Sequence, residues 1–152
     1  MVINIWPKFT RLSIDVWVYS HHGLYGVDYP KDRYSGYQDD AHDALKTELA
    51  TLLKEKHDVV LDFAFAFRDM RTIWQKIVEE NGGRWVLVYL RQDEDELRRR
   101  VRARNALANK DADSAFDLTD ETLSRYLKGF EVPIGEGEIN LAWIDSDTIG
   151  IK

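Results

Sequence analysis

Two carboxylates and four arginines stand beside predicted strands or on one helix face, where their chemistry could be used. They are Asp15, Asp62, Arg68, Arg71, Arg100 and Arg104. A carboxylate can orient a hydroxyl group or take its proton, and a guanidinium can bind two oxygens of a phosphate at once. Such groups together would suit phosphoryl transfer, which needs positioning and charge more than covalent chemistry.

The elements that must position these residues alternate along the chain. Continuous apolar runs predict buried strands, and apolar residues at helical spacing predict helices between them. The predicted strands are 11–14, 59–65, 85–90 and 139–144; the predicted helices run through 41–53 and 70–77, from Asp93 onwards and from Thr119 onwards. Gly82 and Gly83 should end the second helix with a left-handed cap. This order predicts an α/β fold with a parallel sheet and flanking helices.

Asp62 ends an apolar strand, at the edge where ligands bind in open α/β sheets. A strand-end Asp can instead cap a turn, and we favour the ligand site because packing does not explain this position. Arg100 and Arg104 are four residues apart and share one face of the third helix. The other arginines of that helix are better explained as a solvated face balanced by the acidic residues 93–96.

Composition limits the classes of protein that are possible. The chain has 152 residues, a net charge of -6 and 44% hydrophobic residues, which predicts one globular domain over residues 1–152 and argues against a nucleic-acid binder. It has no cysteine, no signal peptide pattern and no apolar run of membrane-spanning length. We therefore expect a cytoplasmic protein without a membrane contact.

Three stretches in this order resemble the zeta-toxin-like, AAA-type P-loop kinases, particularly their fungal members. They are residues 11–15, residues 59–71, and residues 130–133 leading into 135–138. The resemblance implies a three-layer, nucleoside-kinase-like sheet and transfer from ATP, with magnesium, to a hydroxyl of a small molecule, nucleotide sugar or nucleic-acid end. It makes Asp15 the carboxylate that orients or deprotonates the acceptor hydroxyl, and Asp62 a residue that holds magnesium through water.

The same resemblance assigns roles to the arginines. Arg68 and Arg71 match an R-x-x-R spacing that would direct a guanidinium towards a phosphate, and Arg100 and Arg104 would be lid arginines that close on a nucleotide. Each assignment has a plainer alternative: Asp15 caps a helix that begins at Val16, or Arg68 and Arg71 form an exposed helix start that pairs with Asp69. Because positive charge opposes the dipole at a helix N-terminus, we expect a compensating anion there.

The stretch from Trp17 to Tyr37 holds five of the seven tyrosines and is a candidate for substrate recognition. Tyr25, Tyr29 and Arg33 could stack on a ring and bind its edges, although aromatic residues are also ordinary core material. His21 and His22 lack the spacing of a zinc site.

One departure from the family dominates. Such kinases begin with a strand, a G-x-x-x-x-G-K-[ST] loop and a helix, and these 152 residues contain no such loop. The resemblance therefore predicts a sheet truncated at its N-terminal side and weak or absent ATP turnover by this chain alone. The alternatives are a non-catalytic protein that binds phosphate or a nucleotide, or a homodimer formed through the exposed sheet edge.

Overall fold

Four short strands and five α-helices alternate along residues 9–116 and 118–142, the part of the chain that the computed structural model describes. The strands are β1 (Phe9–Leu12), β2 (Asp58–Leu61), β3 (Val88–Arg91) and β4 (Ile139–Ala142). The helices are α1 (Ile14–His22), α2 (Tyr34–Lys54), α3 (Arg68–Glu80), α4 (Glu94–Asn105) and α5 (Asp120–Gly129), with a 3-10 turn at Lys31–Arg33 before α2. Within these residues, no helix combines the length and the apolar character that crossing a membrane requires.

The strands pair in parallel, as predicted, but in two separate sheets. β1 pairs with β2, with Leu12 opposite Leu61, and β3 pairs with β4, with Val88 opposite Ile139. Among the described residues no ladder joins the two pairs. The α/β class with parallel strands and flanking helices is therefore confirmed, while the three-layer sheet and its truncation stay predictions. The predicted end of the last strand, 143–144, lies outside the described residues.

β2 is shorter than the apolar run that predicted it. The run 59–65 leaves the ladder after the Asp62 N–H donates to the Leu12 carbonyl at 2.9 Å, and Phe65 has a positive φ of 44°. Phe63 and Phe65 instead turn their rings towards Trp74, at centroid distances of 4.8 and 6.4 Å. The apolar character of these residues thus reflects core packing and not strand pairing.

The first helix begins earlier than predicted. Ser13 has extended backbone angles and its hydroxyl accepts a hydrogen bond from the Val16 N–H at 3.4 Å, so Ser13 is the N-cap of α1. Ile14, predicted in the first strand, lies in this helix. The interpretation of Asp15 as the helix cap is therefore wrong, because Asp15 lies in the first turn of α1.

The other helix boundaries follow mostly from local chemistry. Asp93 caps α4 and Thr119 caps α5, as predicted. Gly82 has a φ of 74° and Gly83 donates its N–H to the Val78 carbonyl at 2.9 Å, which confirms the left-handed end of α3. Two buried clusters hold the elements together: one contains Leu12, Leu45, Leu49, Trp74 and Val78, and the other contains Val18, Tyr29 and Ala41.

Candidate functional site

Arg11, which lies in β1, joins two carboxylates from distant parts of the chain. Its Nε donates to Asp62 Oδ2 at 2.8 Å, and its Nη2 donates to Asp113 Oδ1 at 2.7 Å. The hydrogen bond to Asp113 is the main reason that the pKa of Arg11 is raised; partial burial opposes the rise, and Asp62 adds to it. Arg11 is therefore a fixed positive charge at the ends of β1 and β2.

Asp15 lies close enough to this pair for its ionisation to depend on it. Its Oδ1 accepts a hydrogen bond from the Tyr34 hydroxyl at 3.0 Å. Burial of the carboxyl raises the pKa of Asp15, although the residue as a whole keeps exposed surface. The Tyr34 hydrogen bond opposes this rise, while the negative charges of Asp113 and Asp62 add to it, so the direction does not depend on burial alone. We call Asp15, Asp62 and Asp113 with Arg11 the carboxylate cluster.

Arg104 is the predicted lid arginine that the structure brings to this cluster. Its positive charge lowers the pKa of Asp15, against the larger effect of burial, and its Nη2 donates to the Phe116 carbonyl at 3.2 Å. Within the described part of the chain, its buried Nε has no hydrogen-bond partner. Arg100, by contrast, donates to Glu96 on its own helix at 2.6 Å. The lid role of the pair stays a prediction.

Arg68 and Arg71 share an acidic partner, Glu136, whose side chain is 10% exposed. Arg71 is 2% exposed and donates to both carboxylate oxygens of Glu136, at 2.8 and 2.7 Å, and to the Phe65 carbonyl at 2.7 Å. Arg68 donates to Glu136 at 3.2 Å, while its backbone N–H donates to Glu131 at 2.7 Å. The compensating anion expected at this helix start is thus Glu136 with Glu131, and not Asp69.

This network joins the loop after β2 to the segment after α5. Its hydrogen bonds occupy the Arg71 guanidinium, and they raise the pKa of Arg71 while they lower that of Glu136. This network gives Arg68 and Arg71 a structural role that the sequence did not show. Phosphate binding by Arg68 and Arg71 stays a prediction.

The tyrosine-rich stretch forms an aromatic cluster that differs in burial from one residue to the next. Tyr29 is 7% exposed and its ring meets that of Tyr37 edge to face at 5.1 Å, which fits ordinary core packing. Tyr25 is half-buried, and its ring centroid lies 4.6 Å from that of Phe116. Arg33 is exposed at the end of the 3-10 turn. The substrate roles of Tyr25, Tyr29 and Arg33 stay predictions.

The surroundings of Asp62 do not fit a magnesium ion in this arrangement. Asp62 Oδ2 accepts a hydrogen bond from Arg11, whose positive charge would repel a metal ion bound at the same oxygen. Residues 9–116 and 118–142 contain no group of three or more His, Asp or Glu side chains placed to hold a metal. Magnesium binding at Oδ2 of Asp62 therefore requires Arg11 to move.

A separate open groove of about 640 Å³ lies between α2 and the start of α3. Its walls include His42, Lys46, Phe67 and Trp74. None of the predicted site residues lines it, so we place the candidate site at the carboxylate cluster, where the charged groups converge.

The residues that complete the site differ in how far local sequence could have identified them. Arg11 could have been identified from the sequence. It lies near the end of one predicted strand and Asp62 lies at the end of the next, and parallel pairing brings these two strand ends together. Asp113 and Phe116 carry no such local signal, since 102 residues separate Asp113 from Arg11.

The fold and the site together define the class of the protein: parallel strands with flanking helices, and acids and arginines at the strand ends. A model of the AAA domain family matches residues 6–133, and the chain belongs to this family. The match places it in the broad class of P-loop NTPase-like kinases, which makes it a nucleotide-binding, kinase-like protein in coarse terms. No curated protein and no solved structure matches the chain.

Proposed function

We propose that this domain binds a phosphate-bearing small molecule of the nucleotide type at the carboxylate cluster. We further propose that the chemistry of the cluster is phosphoryl transfer to a hydroxyl group. The observation that carries the proposal is that Arg11 joins Asp62 and Asp113 at the ends of β1 and β2, with Asp15 and Arg104 near enough for their charges to interact. Ligands of open α/β sheets bind at this edge.

In this proposal, Asp15 is the acceptor of the hydroxyl proton. The Tyr34 hydroxyl holds Asp15 Oδ1, which leaves Oδ2 for the acceptor hydroxyl. As the hydroxyl oxygen forms its bond to phosphorus, its proton passes to Asp15, and the leaving oxygen of the donor departs with the electron pair of the broken bond. The raised pKa of Asp15 makes it a stronger base than an ordinary Asp, which brings it nearer to the optimum for proton transfer.

Arg104 supplies positive charge beside Asp15, where negative charge develops on the transferring group. ATP is the donor that the family resemblance implies. These 152 residues contain no G-x-x-x-x-G-K-[ST] loop, and each charge-assisted phosphate contact is worth about 1.5–3 kcal/mol. We therefore propose that ATP turnover by this chain alone is weak or absent.

A second candidate function is phosphate or nucleotide binding without catalysis. It is favoured by Arg11, which neutralises Asp62 and thereby blocks the position where the family resemblance places a magnesium ion. In that case the arginines of the cluster still bind an anion, but the site does not bring a phosphate donor and an acceptor hydroxyl together. We also propose that the protein belongs to the zeta-toxin-like subfamily and that it is cytoplasmic.

A thermal-shift titration of the purified protein with inorganic phosphate, ATP and ATP-magnesium tests binding, because a ligand that binds the folded state raises the unfolding temperature. We expect stabilisation by a phosphate-bearing ligand, and we expect Arg104→Met to remove it. The matched control is Arg102→Met, since Arg102 is an exposed arginine of the same helix that pairs with Asp120 outside the cluster. Equal loss in both variants, or no stabilisation of the wild type by any of these ligands, would contradict binding at the cluster.

Turnover is measured in the same samples as ADP release. Stabilisation by phosphate alone, with no ADP, supports the non-catalytic candidate. Robust ATP turnover that is abolished by Asp62→Ala but kept in Asp58→Asn, at the other end of β2, would overturn the proposed weakness of this chain as an enzyme.

A further inference from the structure

Residues 106–116, here called the return loop, fold back from the end of α4 onto the carboxylate cluster. Two of its side chains, three residues apart, make the contacts: Asp113 reaches Arg11, and Phe116 reaches the rings of Tyr25 and Tyr34. One contact is made by an anion and the other by a flat ring. A ligand with both features would use the same partners.

The contact of Asp113 is that of an anion in a guanidinium fork. Arg11 Nη2 donates to Oδ1 at 2.7 Å and Nη1 to Oδ2 at 3.5 Å, so both carboxylate oxygens face the guanidinium. Carboxylates and phosphates present their oxygens to arginine in the same manner. Both side chains keep partial exposure, at 31% and 42%. An anion from solution could therefore reach Arg11 in the place of Asp113.

The contact of Phe116 is that of a stacked ring. Its centroid lies 5.3 Å from that of Tyr34, with only 19° between the ring planes, and 4.6 Å from that of Tyr25, with a tilt of 57°. Any flat ring of similar size could stack on Tyr34 in this position. The hydroxyl of Tyr34 is held by Asp15, so the stacking surface is fixed directly beside the proposed base.

The return loop has internal hydrogen bonds that do not depend on either contact. Ser114 is 3% exposed, and its N–H and hydroxyl donate to Asp111 Oδ1 at 3.0 and 2.7 Å, while the Asp111 N–H donates to the Ser114 hydroxyl at 2.9 Å. Lys110 Nζ donates to the Asn105 carbonyl at 2.8 Å, at the end of α4. The turn that carries Asp113 and Phe116 can therefore leave the cluster with these internal bonds intact, although its departure also breaks the hydrogen bond from Arg104 Nη2 to the Phe116 carbonyl.

Charge also favours an exchange. Asp62 and Asp113 pair with Arg11, and the charges of Asp15 and Arg104 interact, so three carboxylates and two guanidinium groups leave one net negative charge at the site. When Asp113 leaves, the charges of the remaining groups balance. A phosphate monoester, which carries about -1.5 to -2 charges at pH 7, then enters a neutral site and not a negative one. A second anion added beside Asp113 would instead meet repulsion.

We propose that Arg11, Tyr25 and Tyr34 form a binding site for a ligand that combines a flat ring with an anionic group, of the nucleoside monophosphate class. Asp113 and Phe116 occupy this site as an internal mimic of the ligand, so the ligand and the return loop compete for it. The proposal rests on the proposed function only in taking the carboxylate cluster as the place where a phosphate-bearing ligand binds.

Isothermal titration calorimetry with adenosine monophosphate tests the competition, with adenosine and inorganic phosphate as partial ligands. Asp113→Asn and Phe116→Ala each weaken the mimic, and the double variant removes both contacts. If the loop competes, affinity rises as the loop-closed fraction falls; we expect about threefold tighter binding for each single variant and about tenfold for the double variant. The controls are Asp120→Asn, which loses ion pairs with Arg98 and Arg102, and Leu107→Ala, an exposed apolar residue of the same loop.

Arg11→Met separates the two halves of the ligand. It should weaken binding of the monophosphate and of inorganic phosphate by about tenfold or more. Because it also removes the partner of Asp113, adenosine should bind at least as tightly as to the wild type; circular dichroism checks that the variant is folded. Unchanged or weaker monophosphate binding in the double variant would overturn the competition, while phosphate binding by the wild type would still uphold the proposed function. Absence of any phosphate or monophosphate binding, even in the double variant, would overturn both.

Discussion

The ion pair between Arg71 and Glu136 gives the sharpest prediction about the structure. The guanidinium is 2% exposed and the carboxylate 10%, and two short hydrogen bonds join them. A third bond from Arg71 holds the carbonyl of Phe65, which has a positive φ. Replacement by Met keeps much of the side-chain volume but removes the charge and all three donors. Glu136 is then left nearly buried, with only Arg68 as a partner.

The expected cost follows from that burial. Removing one partner of a buried ion pair costs about 3–5 kcal/mol, and we place Arg71→Met near the lower limit, at about 3 kcal/mol, because Arg68 still contacts Glu136 at 3.2 Å. For a domain of this size, the unfolding temperature should fall by about 6–12 °C. Arg68→Met is the matched control: its side chain is 57% exposed, and exposed pairs are worth about 0.2–1 kcal/mol.

Urea unfolding followed by circular dichroism measures both variants. A further variant that combines Arg71→Met with Glu136→Leu removes both charges, and it should recover part of the loss because no unpaired buried charge remains. A cost for Arg71→Met no larger than that for Arg68→Met would refute the buried pair. If Arg71→Met is stable but no longer stabilised by phosphate, the predicted phosphate role of Arg71 would regain support.

Three further predictions concern single positions. Because burial raises the pKa of Asp15, the ionised carboxylate destabilises the folded state at pH 7. Asp15→Asn removes this charge and should raise the unfolding temperature at pH 7, by at most about 2–4 °C because solvent screens the partly exposed group. This gain should vanish as the pH falls through the raised pKa and Asp15 itself becomes protonated, and a gain that is constant with pH would contradict the shift. Gly82→Ala should lower the free energy of unfolding by about 1–2 kcal/mol, because the φ of 74° strains an L-residue even though no atom within 4 Å would clash with the new methyl group. Gly36→Ala, inside α2, should raise the free energy of unfolding by about 0.5–1 kcal/mol. Thermal unfolding that shows a change of the same sign in both variants would contradict this. The predicted homodimer used an exposed sheet edge; if a homodimer forms instead through the exposed apolar side chains of β3 and β4, Leu141→Glu should shift sedimentation towards the monomer. A wild-type monomer at high micromolar concentration would exclude either dimer.

Much of the local structure could be predicted because local chemistry determines it. The caps at Asp93 and Thr119 and the left-handed glycine at Gly82 depend on residues within one helical turn, and the structure has all three. Asp62 was expected at a strand end, and it lies directly after β2. The predicted limits failed at Phe63 and Phe65, where apolar residues pack in the core instead of joining a ladder. They also failed at the strand predicted over 85–90, which the structure has as Val88–Arg91 with Val86 exposed.

The contacts that complete the site could not be predicted, since they join residues far apart in the chain. Arg11 meets Asp113 across 102 residues, and Arg71 meets Glu136 across 65. The basic character of Arg71 indicated a ligand contact, because the sequence does not show that Glu136 would be buried beside it. Pairing within α4 was easier to foresee, as Glu96 binds Arg99 and Arg100 within one turn and its pKa falls to about 2 as a result.

The location of the ligand site is the central claim, and a nuclear magnetic resonance titration tests it most directly. Backbone amide shifts of the 15N-labelled protein are followed as adenosine monophosphate is added. We expect the largest changes at residues 11–16, at 62–64, at Tyr25 and Tyr34 and in the return loop, with small changes at residues 68–72 and along the groove between α2 and α3. Changes concentrated in that groove or at the start of α3, with the carboxylate cluster unaffected, would contradict it.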